Sequence, residues 1–453
     1  MQMCRKRALG HRSSAQNHGD LTGRVVHYSI TIAKTEKAAG GFYAELENSI
    51  GSVPSLEVSR PRILGLIDRV LSAMIRLTET YLTGRYFCLK VAIAAIVLSM
   101  LMNFPPYRWM VPALREGRSP TLRAMQLKVQ HPLAQIPAEL KDPTIAKRRA
   151  SSHVNKMELR LTIPVLGWIS HTGIWTIVVW NHLAGFAFFY LLAALALRAL
   201  QDQVSAALFV VGLGPTAFGA SFFSDYFFGD GVAFFLMLLS VAWRRPVLAC
   251  LTYVAAGFCD ERVILAAPLL IFYLLVRYAQ EQKQSQGRLL SLAIVAGVVL
   301  WAVLRLILAR KFHLATGMTD IATPAILRGT LSGFPEPFLG VFRSSWILFP
   351  VALLSLFTRR NWISLLTLLA AFAMALGPAF LVWDFSRSLG YVLVAFLISL
   401  YFLQGDREAS RKFLAAVLGL NLLYGPLSRS ILQVAGWVPP FSKTPGPGPT
   451  PLI

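Results

Sequence analysis

The chain has 453 residues, of which 55% are hydrophobic and only 15% are charged. A mean hydropathy of +0.56 excludes an ordinary soluble protein and predicts an all-α protein embedded in a membrane. The formal net charge of +22 does not indicate nucleic-acid binding, because Lys and Arg are scattered at the ends of apolar segments and in two polar regions. We therefore expect membrane lipid, and no nucleic acid, as a partner.

The first 60 residues are polar, mixed in charge and without sustained periodicity, which predicts disorder or a mis-annotated N-terminal extension. Residues 61–85 differ, because apolar residues such as Ile63, Ile67, Val70 and Met74 recur at helical spacing with charged residues between them. This pattern predicts an amphipathic helix that lies in the membrane interface.

A transmembrane helix bundle is predicted over residues 86–430, followed by a disordered Pro/Gly-rich tail at 431–453. The bundle should contain about ten to eleven spans, several of them short for a full crossing. Gly212, Gly214 and Pro215 should kink the third segment. The apolar segments are Phe87–Met102, Ile174–Leu197, Val204–Phe223, Gly231–Trp243, Val247–Phe258, Val263–Val276, Leu289–Ala309, Phe338–Phe357, Trp362–Val382, Leu389–Leu403 and Phe413–Leu427.

A long polar loop with short helical patterns, residues 103–172, follows the first span and carries 11 Lys/Arg against 4 Asp/Glu. A basic loop of this length is uncommon without a function. Two interpretations stay open: the loop rests on lipid headgroups, or it docks on the bundle and binds a lipid phosphate. In the second case the phosphate-binding residues are Lys147, Arg148, Arg149, Lys156 and Arg160.

The fourth and fifth apolar segments read as two arms of a helical hairpin. Each arm rises roughly 18–20 Å at about 1.5 Å per residue. Because the arms are nearly equal, Asp230 before the first arm and the Asp260-Glu261-Arg262 triplet after the second should meet at one end. Ionisable residues at a membrane boundary are functional candidates by default.

Loop charges predict the orientation of the bundle. One alternating set of short loops carries eleven Lys/Arg and the other set carries five, so the first set belongs in the cytoplasm. The acidic end of the hairpin then faces outside. The basic loop at 103–172 also falls outside, which is tolerated because loops beyond about 60 residues escape the rule.

Carboxylates at this outer face are candidate general bases: Asp230, Asp260 and Glu261. Nearby residues are candidates for holding substrate, since arginine binds phosphate with two parallel hydrogen bonds; besides the five basic loop residues they are Asp225, Arg262, Asp384 and Arg387.

Structural alternatives remain for some of these residues. Asp225 and Asp230 can act only as helix caps, and Asp384 can simply pair with Arg387 three residues later. No metal or cofactor is expected, because the four cysteines lack CxxC spacing and no His/Cys/Asp cluster has metal-ligand spacing.

This arrangement resembles the GT-C class of integral-membrane glycosyltransferases, with many spans, a long first outer loop, and acids and arginines on one outer face. The runs FCDERVILAAP (Phe258–Pro268) and WDFSR (Trp383–Arg387) look like charged span-end motifs of uncharacterised bacterial membrane proteins of that type. The resemblance implies transfer of a sugar from a polyprenyl-phosphate carrier to an acceptor on the extracytoplasmic face of a bacterial inner membrane.

In the GT-C class an acidic residue activates the acceptor hydroxyl and usually lies early in the first outer loop, often in an acidic pair. This loop departs from the pattern, because its acids are isolated: Glu116, Glu139, Asp142 and Glu158. Two other functions therefore stay open, a transporter or flippase of a lipid-linked saccharide and a non-catalytic membrane assembly subunit.

Overall fold

The computed structural model describes residues 62–103, 107–116, 120–137, 140, 157–223, 229–314, 324–332, 335–381 and 385–424. Within these residues the regular structure is helical and contains no strand. The α-helices are α1 (Arg62–Leu82), α2 (Phe87–Asn103), α3 (Tyr107–Glu116), α4 (Pro120–Gln130), α5 (Thr162–Ser170), α6 (Thr176–Leu200), α7 (Gln203–Leu213), α8 (Ala217–Ala220), α9 (Asp230–Ala242), α10 (Pro246–Cys259), α11 (Ala267–Gln280), α12 (Gln284–Lys311), α13 (Pro324–Ser332), α14 (Pro335–Phe342), α15 (Leu348–Thr358), α16 (Trp362–Leu376), α17 (Phe385–Leu389), α18 (Leu393–Leu400) and α19 (Arg407–Leu423). Short 3₁₀ segments lie at Gly173–Trp175, Glu261–Ala266, Arg343–Ile347, Gly377–Leu381 and Gly390–Val392.

Four helical segments are long and apolar enough to cross a membrane, by length and composition: Thr176–Leu200, Glu261–Gln280, Gln284–Lys311 and Phe338–Thr358. They indicate a protein embedded in a membrane. Shorter apolar helices of 10–17 residues accompany them in the described chain, including α2, α7, α9, α10 and α16. The total of ten to eleven spans counts these shorter helices and stays a prediction.

The helix α7 ends earlier than the apolar segment that contains it. It stops at Leu213, and the Gly214-Pro215 pair separates it from α8. A Cβ added at Gly214 would lie 2.5 Å from the carbonyl oxygen of Ala95, so glycine lets the end of α7 pass close to α2. The sequence predicts a kink at the glycine and proline residues. In the structure the helix is instead interrupted there.

The predicted hairpin is formed by α9 and α10, which pack against each other along their lengths. Arg244 and Arg245 are exposed at the turn. Pro246 is the first residue of α10, a position where its missing N–H group costs no hydrogen bond. The hairpin therefore returns the chain to the level at which α9 began.

Aromatic side chains pack together near the end of the hairpin at which α9 begins. The Phe218 ring lies 4.9 Å from Phe234 and 5.1 Å from Phe342, centroid to centroid. Phe234 in turn lies 4.8 Å from the ring of Tyr391. A Cβ added at Gly390 would lie 2.3 Å from the Phe234 ring, so this close approach requires glycine. These aromatic contacts link α8, α9 and α14 to the 3₁₀ segment that follows α17.

A helix, α1, is present where the sequence predicts one, and its place in the membrane interface stays a prediction. The main compact unit begins at Leu66, and the preceding unit, Met1–Gly65, is described only from Arg62 onward. Lys412 of α19 lies 3.4 Å from Asp68 of α1. The apolar residues that α1 leaves exposed include Leu66, Ile67, Val70, Leu77 and Tyr81. Such exposure fits a helix whose apolar face meets lipid.

The start of α7 is fixed by Asp202, whose Oδ2 accepts hydrogen bonds from Ser205 N at 3.0 Å and Ser205 Oγ at 2.7 Å. Arg411 of α19 donates to the same carboxylate, with Nη2 at 2.7 Å from Oδ1 and Nε at 3.0 Å from Oδ2. Burial alone would raise the pKa of Asp202, but Arg411 and Ser205 outweigh burial and lower it to about 2.

We expect this carboxylate to make stability depend on pH. Because the folded-state pKa is lowered, the stabilisation is present above the ordinary value of 3.8 and is lost as the pH falls toward about 2. The Asp202→Asn variant should lack this loss when melting temperature is followed from about pH 6 to about pH 2.5. Glu408→Gln, at an exposed position, is the control. Parallel profiles for wild type and Asp202→Asn would show that the pair does not contribute.

Candidate functional site

Asp230 is the first residue of α9 and is 1% exposed. The preceding Gly229 has a φ of +69°, and a Cβ added there would lie 2.7 Å from Ile163. Glycine therefore allows the turn that places Asp230 at the helix N-terminus, where the helix dipole favours an anion. Its Oδ1 accepts from Arg262 Nη2 at 3.2 Å and from Arg387 Nη2 at 2.8 Å, and Arg387 Nε donates to Oδ2.

Asp260 follows the last residue of α10 and caps the next 3₁₀ segment, accepting from Arg262 N at 2.9 Å. Its Oδ1 also accepts from Arg262 Nε at 2.8 Å, and its Oδ2 from Arg262 Nη2 at 2.6 Å. The Nη2 atoms of Arg160 and Arg387 lie 3.3 Å and 4.0 Å from Oδ2. Asp260 is fully buried, so it holds Arg262 in a fixed position between the two aspartates.

Glu261 shares Arg160 with Asp260 and also approaches Arg305. Arg160 donates to both of its oxygens, from Nη2 to Oε1 at 3.1 Å and from Nε to Oε2 at 3.3 Å. Arg305 Nη1 lies 4.0 Å from Oε2, and its guanidinium lies over the Trp301 ring at 5.1 Å. The Glu261 side chain is 27% exposed, far more than those of Asp230 and Asp260. It is the accessible carboxylate of this site.

Arg160 stays charged although it is buried. Burial alone would lower its pKa, but Asp260 and Glu261 raise it above the ordinary value for arginine. Arg160 therefore brings a permanent positive charge from the loop at 103–172 to the end of the hairpin.

These side chains form one network, which we call the ionic cluster. Among the described residues it contains three carboxylates and four guanidinium groups: Asp230, Asp260, Glu261, Arg160, Arg262, Arg305 and Arg387. Charges removed from water in this way are costly unless they are paired and hydrogen-bonded, as they are here.

Two uncharged residues beside the ionic cluster had no signal of their own in the sequence. Arg262 Nη1 donates to Ser388 Oγ at 3.1 Å, and the Arg262 guanidinium lies 5.7 Å from the centroid of the Tyr391 ring. The buried Tyr391 hydroxyl has no hydrogen-bond partner among the described residues. Ser388 and Tyr391 lie one and four positions after Arg387. In a continuous helix the spacing of four residues would place Tyr391 on the same side as Arg387.

The structure thus brings together Asp230, Asp260 and Glu261, the three predicted base candidates, with Arg160, Arg262 and Arg387 of the predicted substrate-binding set. Arg305 joins them from α12. The other predicted site residues lie outside the described residues: Lys147, Arg148, Arg149, Lys156, Asp225 and Asp384.

Two charged residues of the loop at 103–172, Lys128 and Glu158, are fully buried. Lys128 Nζ donates at 3.1 Å to the carbonyl oxygens of Ala134 and Glu158. Glu158 Oε1 accepts from Ile136 N at 3.0 Å. These two side chains therefore join distant parts of the loop to each other.

Comparison with protein-family models, with curated proteins and with solved structures finds no match to this chain. Function is therefore inferred from the ionic cluster itself. Its arginines can bind an anion with charge-assisted hydrogen bonds, and its accessible carboxylate can accept a proton.

Proposed function

We propose that the chain is a membrane glycosyltransferase that takes a sugar from a polyprenyl-phosphate carrier at the ionic cluster. One observation carries the proposal: four arginines surround three carboxylates, and Glu261 alone of these carboxylates is accessible. A lipid phosphate is an anion that guanidinium groups bind with two parallel hydrogen bonds. The resemblance of the span-end motifs to GT-C enzymes supports the choice of a sugar as the transferred group.

Within this proposal Glu261 is the general base. All three carboxylates accept from guanidinium groups at both oxygens, but Asp230 and Asp260 are buried and an acceptor hydroxyl can reach only the partly exposed Glu261. Glu261 makes longer contacts, at 3.1–4.0 Å, with Arg160 and Arg305. A bound phosphate competes for these two arginines and frees the carboxylate.

The transfer step then follows from these positions. Glu261 accepts the proton of the acceptor hydroxyl as that oxygen forms a bond to the anomeric carbon. The bond from the anomeric carbon to the carrier phosphate breaks, and its electron pair leaves with the phosphate oxygen. Arg160 and Arg305 stabilise the charge that develops on the phosphate.

The setting we propose is a bacterial inner membrane, crossed by ten to eleven spans, with the ionic cluster at the extracytoplasmic face. The bias of Lys and Arg toward one set of short loops supports this orientation. The acceptor then also reacts on the extracytoplasmic side, where a flipped lipid-linked sugar is available.

Transport of a lipid-linked saccharide is the second candidate, and one observation favours it. Buried charge is not confined to the end with the ionic cluster, because Arg277 near the other end of the span Glu261–Gln280 is 1% exposed. Arg262 and Arg277 are separated by roughly 22 Å at about 1.5 Å per residue. Such a spacing suits a path that an anionic headgroup follows across the bundle.

Binding of polyprenyl phosphate tests the assignment of the ionic cluster. The Arg305→Gln variant should bind it about tenfold or more weakly than wild type, because a hydrogen bond to a charged group is lost. Glu261 keeps its bonds to Arg160, so the fold should persist. Arg310→Gln removes an exposed charge from the same helix and is the matched control. Affinity is measured by calorimetry on the protein in detergent micelles.

Equal affinities for wild type and Arg305→Gln would remove the ionic cluster as the phosphate site. The same conclusion follows if the wild-type protein binds the uncharged polyprenol as tightly as it binds polyprenyl phosphate.

A further inference from the structure

The end of α11 remote from the ionic cluster holds a second polar group of residues, which we call the inner polar cluster: Arg198, Tyr273, Arg277, Glu281 and Tyr401. Arg277 lies at its centre. Its Nε donates to Glu281 Oε1 at 3.4 Å, and its Nη1 donates to the carbonyl oxygen of Val241 at 2.7 Å. Arg198 Nε lies 3.8 Å from the same Glu281 oxygen.

Three donors of the inner polar cluster are buried without a hydrogen-bond partner among the described residues. They are Nη2 of Arg277 and the hydroxyls of Tyr273 and Tyr401. The two tyrosine rings lie 6.0 Å apart, and their hydroxyls are near enough to influence each other although neither meets hydrogen-bonding geometry. Buried donors are nearly always satisfied in folded proteins, so something accepts from them.

The net charge of the inner polar cluster indicates what kind of group accepts these hydrogen bonds. The inner polar cluster contains two arginines and one glutamate, so it carries one surplus positive charge. Glu281 is already engaged by both arginines. A cation is therefore disfavoured, and a group with several acceptor oxygens matches the free guanidinium nitrogen and the two hydroxyls.

We propose that the inner polar cluster is an oxyanion site that takes a phosphate group, held by Arg277, Tyr273 and Tyr401. The side chains of Arg198 and Glu281, 36% and 27% exposed, form its rim. Phosphate reaches the rim either as the free ion or as the headgroup of an anionic lipid. The site is separate from the ionic cluster and does not depend on the proposed transfer reaction.

The double variant Tyr273→Phe/Tyr401→Phe tests this site. If the hydroxyls are merely unsatisfied, their removal leaves the melting temperature unchanged or raises it. In that case phosphate does not change the melting temperature of the wild-type protein either. If they bind phosphate, wild-type protein is stabilised by the anion, and the double variant should bind it about tenfold or more weakly for each lost hydroxyl. The readout is the shift in melting temperature with concentration.

Two arms separate the sources of phosphate. One adds inorganic phosphate to the protein in uncharged detergent, and the other compares nanodiscs of phosphatidylglycerol with nanodiscs of phosphatidylcholine. A shift in the first arm identifies a free anion, and a shift in the second arm alone identifies a lipid headgroup. Either shift supports the proposal only if the double variant abolishes or strongly weakens it.

Tyr253→Phe is the matched control, because this buried tyrosine donates to the carbonyl oxygen of Val263 at 2.9 Å. That variant should lower melting temperature and leave the anion-dependent shift intact. Absence of a shift in both arms for the wild-type protein would overturn the proposal. A shift that the double variant retains in full would overturn it as well, by placing the anion elsewhere.

Discussion

Replacing Asp230 by asparagine is expected to lower the free energy of unfolding by about 3–5 kcal/mol, the cost of breaking a buried ion pair. The carboxylate is 1% exposed and accepts from both Arg262 and Arg387. Asparagine keeps the volume but leaves the two guanidinium groups with less negative charge to offset them. The measurement is denaturant unfolding in micelles, or folded yield where unfolding is irreversible.

Asp68→Asn is the control for this effect. Asp68 pairs with Lys412 at 3.4 Å, but both side chains are exposed, so the loss of stability should be much smaller than for Asp230→Asn. Removing a second charge provides a further check, since Asp230→Asn combined with Arg387→Gln should recover part of the stability. An Asp230→Asn protein as stable as wild type would mean that the ionic cluster is not a buried network.

The largest effect on rate is expected at Glu261. If it is the general base, Glu261→Gln should lower glycosyl transfer by about 10²–10⁴-fold. Stability should change less than for Asp230→Asn, because Glu261 is partly exposed and Arg160 keeps a second carboxylate, Asp260, at 3.3 Å. Transfer of sugar from polyprenyl phosphate to acceptor is measured together with melting temperature.

Glu408→Gln, at an exposed position on α19, controls for the loss of one carboxylate. Full transfer by well-folded Glu261→Gln would exclude Glu261 as base and return attention to Glu116, an exposed acid at the end of α3. Transport of the intact lipid-linked sugar by that variant, without transfer, would favour the second candidate function.

Much of the ionic cluster was predictable, for a simple geometric reason. Two apolar arms of nearly equal length return the chain to one level. The sequence therefore predicts that Asp230 and Asp260 lie near each other. Adjacent residues on a helix point in different directions. Glu261 and Arg262 accordingly have different partners, Arg160 for the first and both Asp260 and Asp230 for the second.

Other parts of the site could not be predicted from local pattern. Arg160 reaches Glu261 across 101 positions of sequence, and Arg305 approaches from a helix whose rotation depends on packing. Periodicity gives the length of a segment and its apolar face, but it does not say which faces of two buried helices meet. The 3₁₀ segments, such as Glu261–Ala266, could not be predicted either, because a stretch of three to six residues is too short for hydrophobic periodicity to distinguish a 3₁₀ helix from an α-helix.

The unequal lengths of neighbouring helices have a consequence for how a ligand reaches the ionic cluster. Helix α12 has 28 residues and α10 has 14, and the two pack side by side. Glu261 meets α12 at Arg305, six residues before its last residue, so the cluster lies roughly 9 Å short of the end of α12 at about 1.5 Å per residue. A headgroup that binds there gives up part of its hydration, because most side chains of the ionic cluster are buried. Coulomb attraction to the arginines is stronger in such surroundings than in open water.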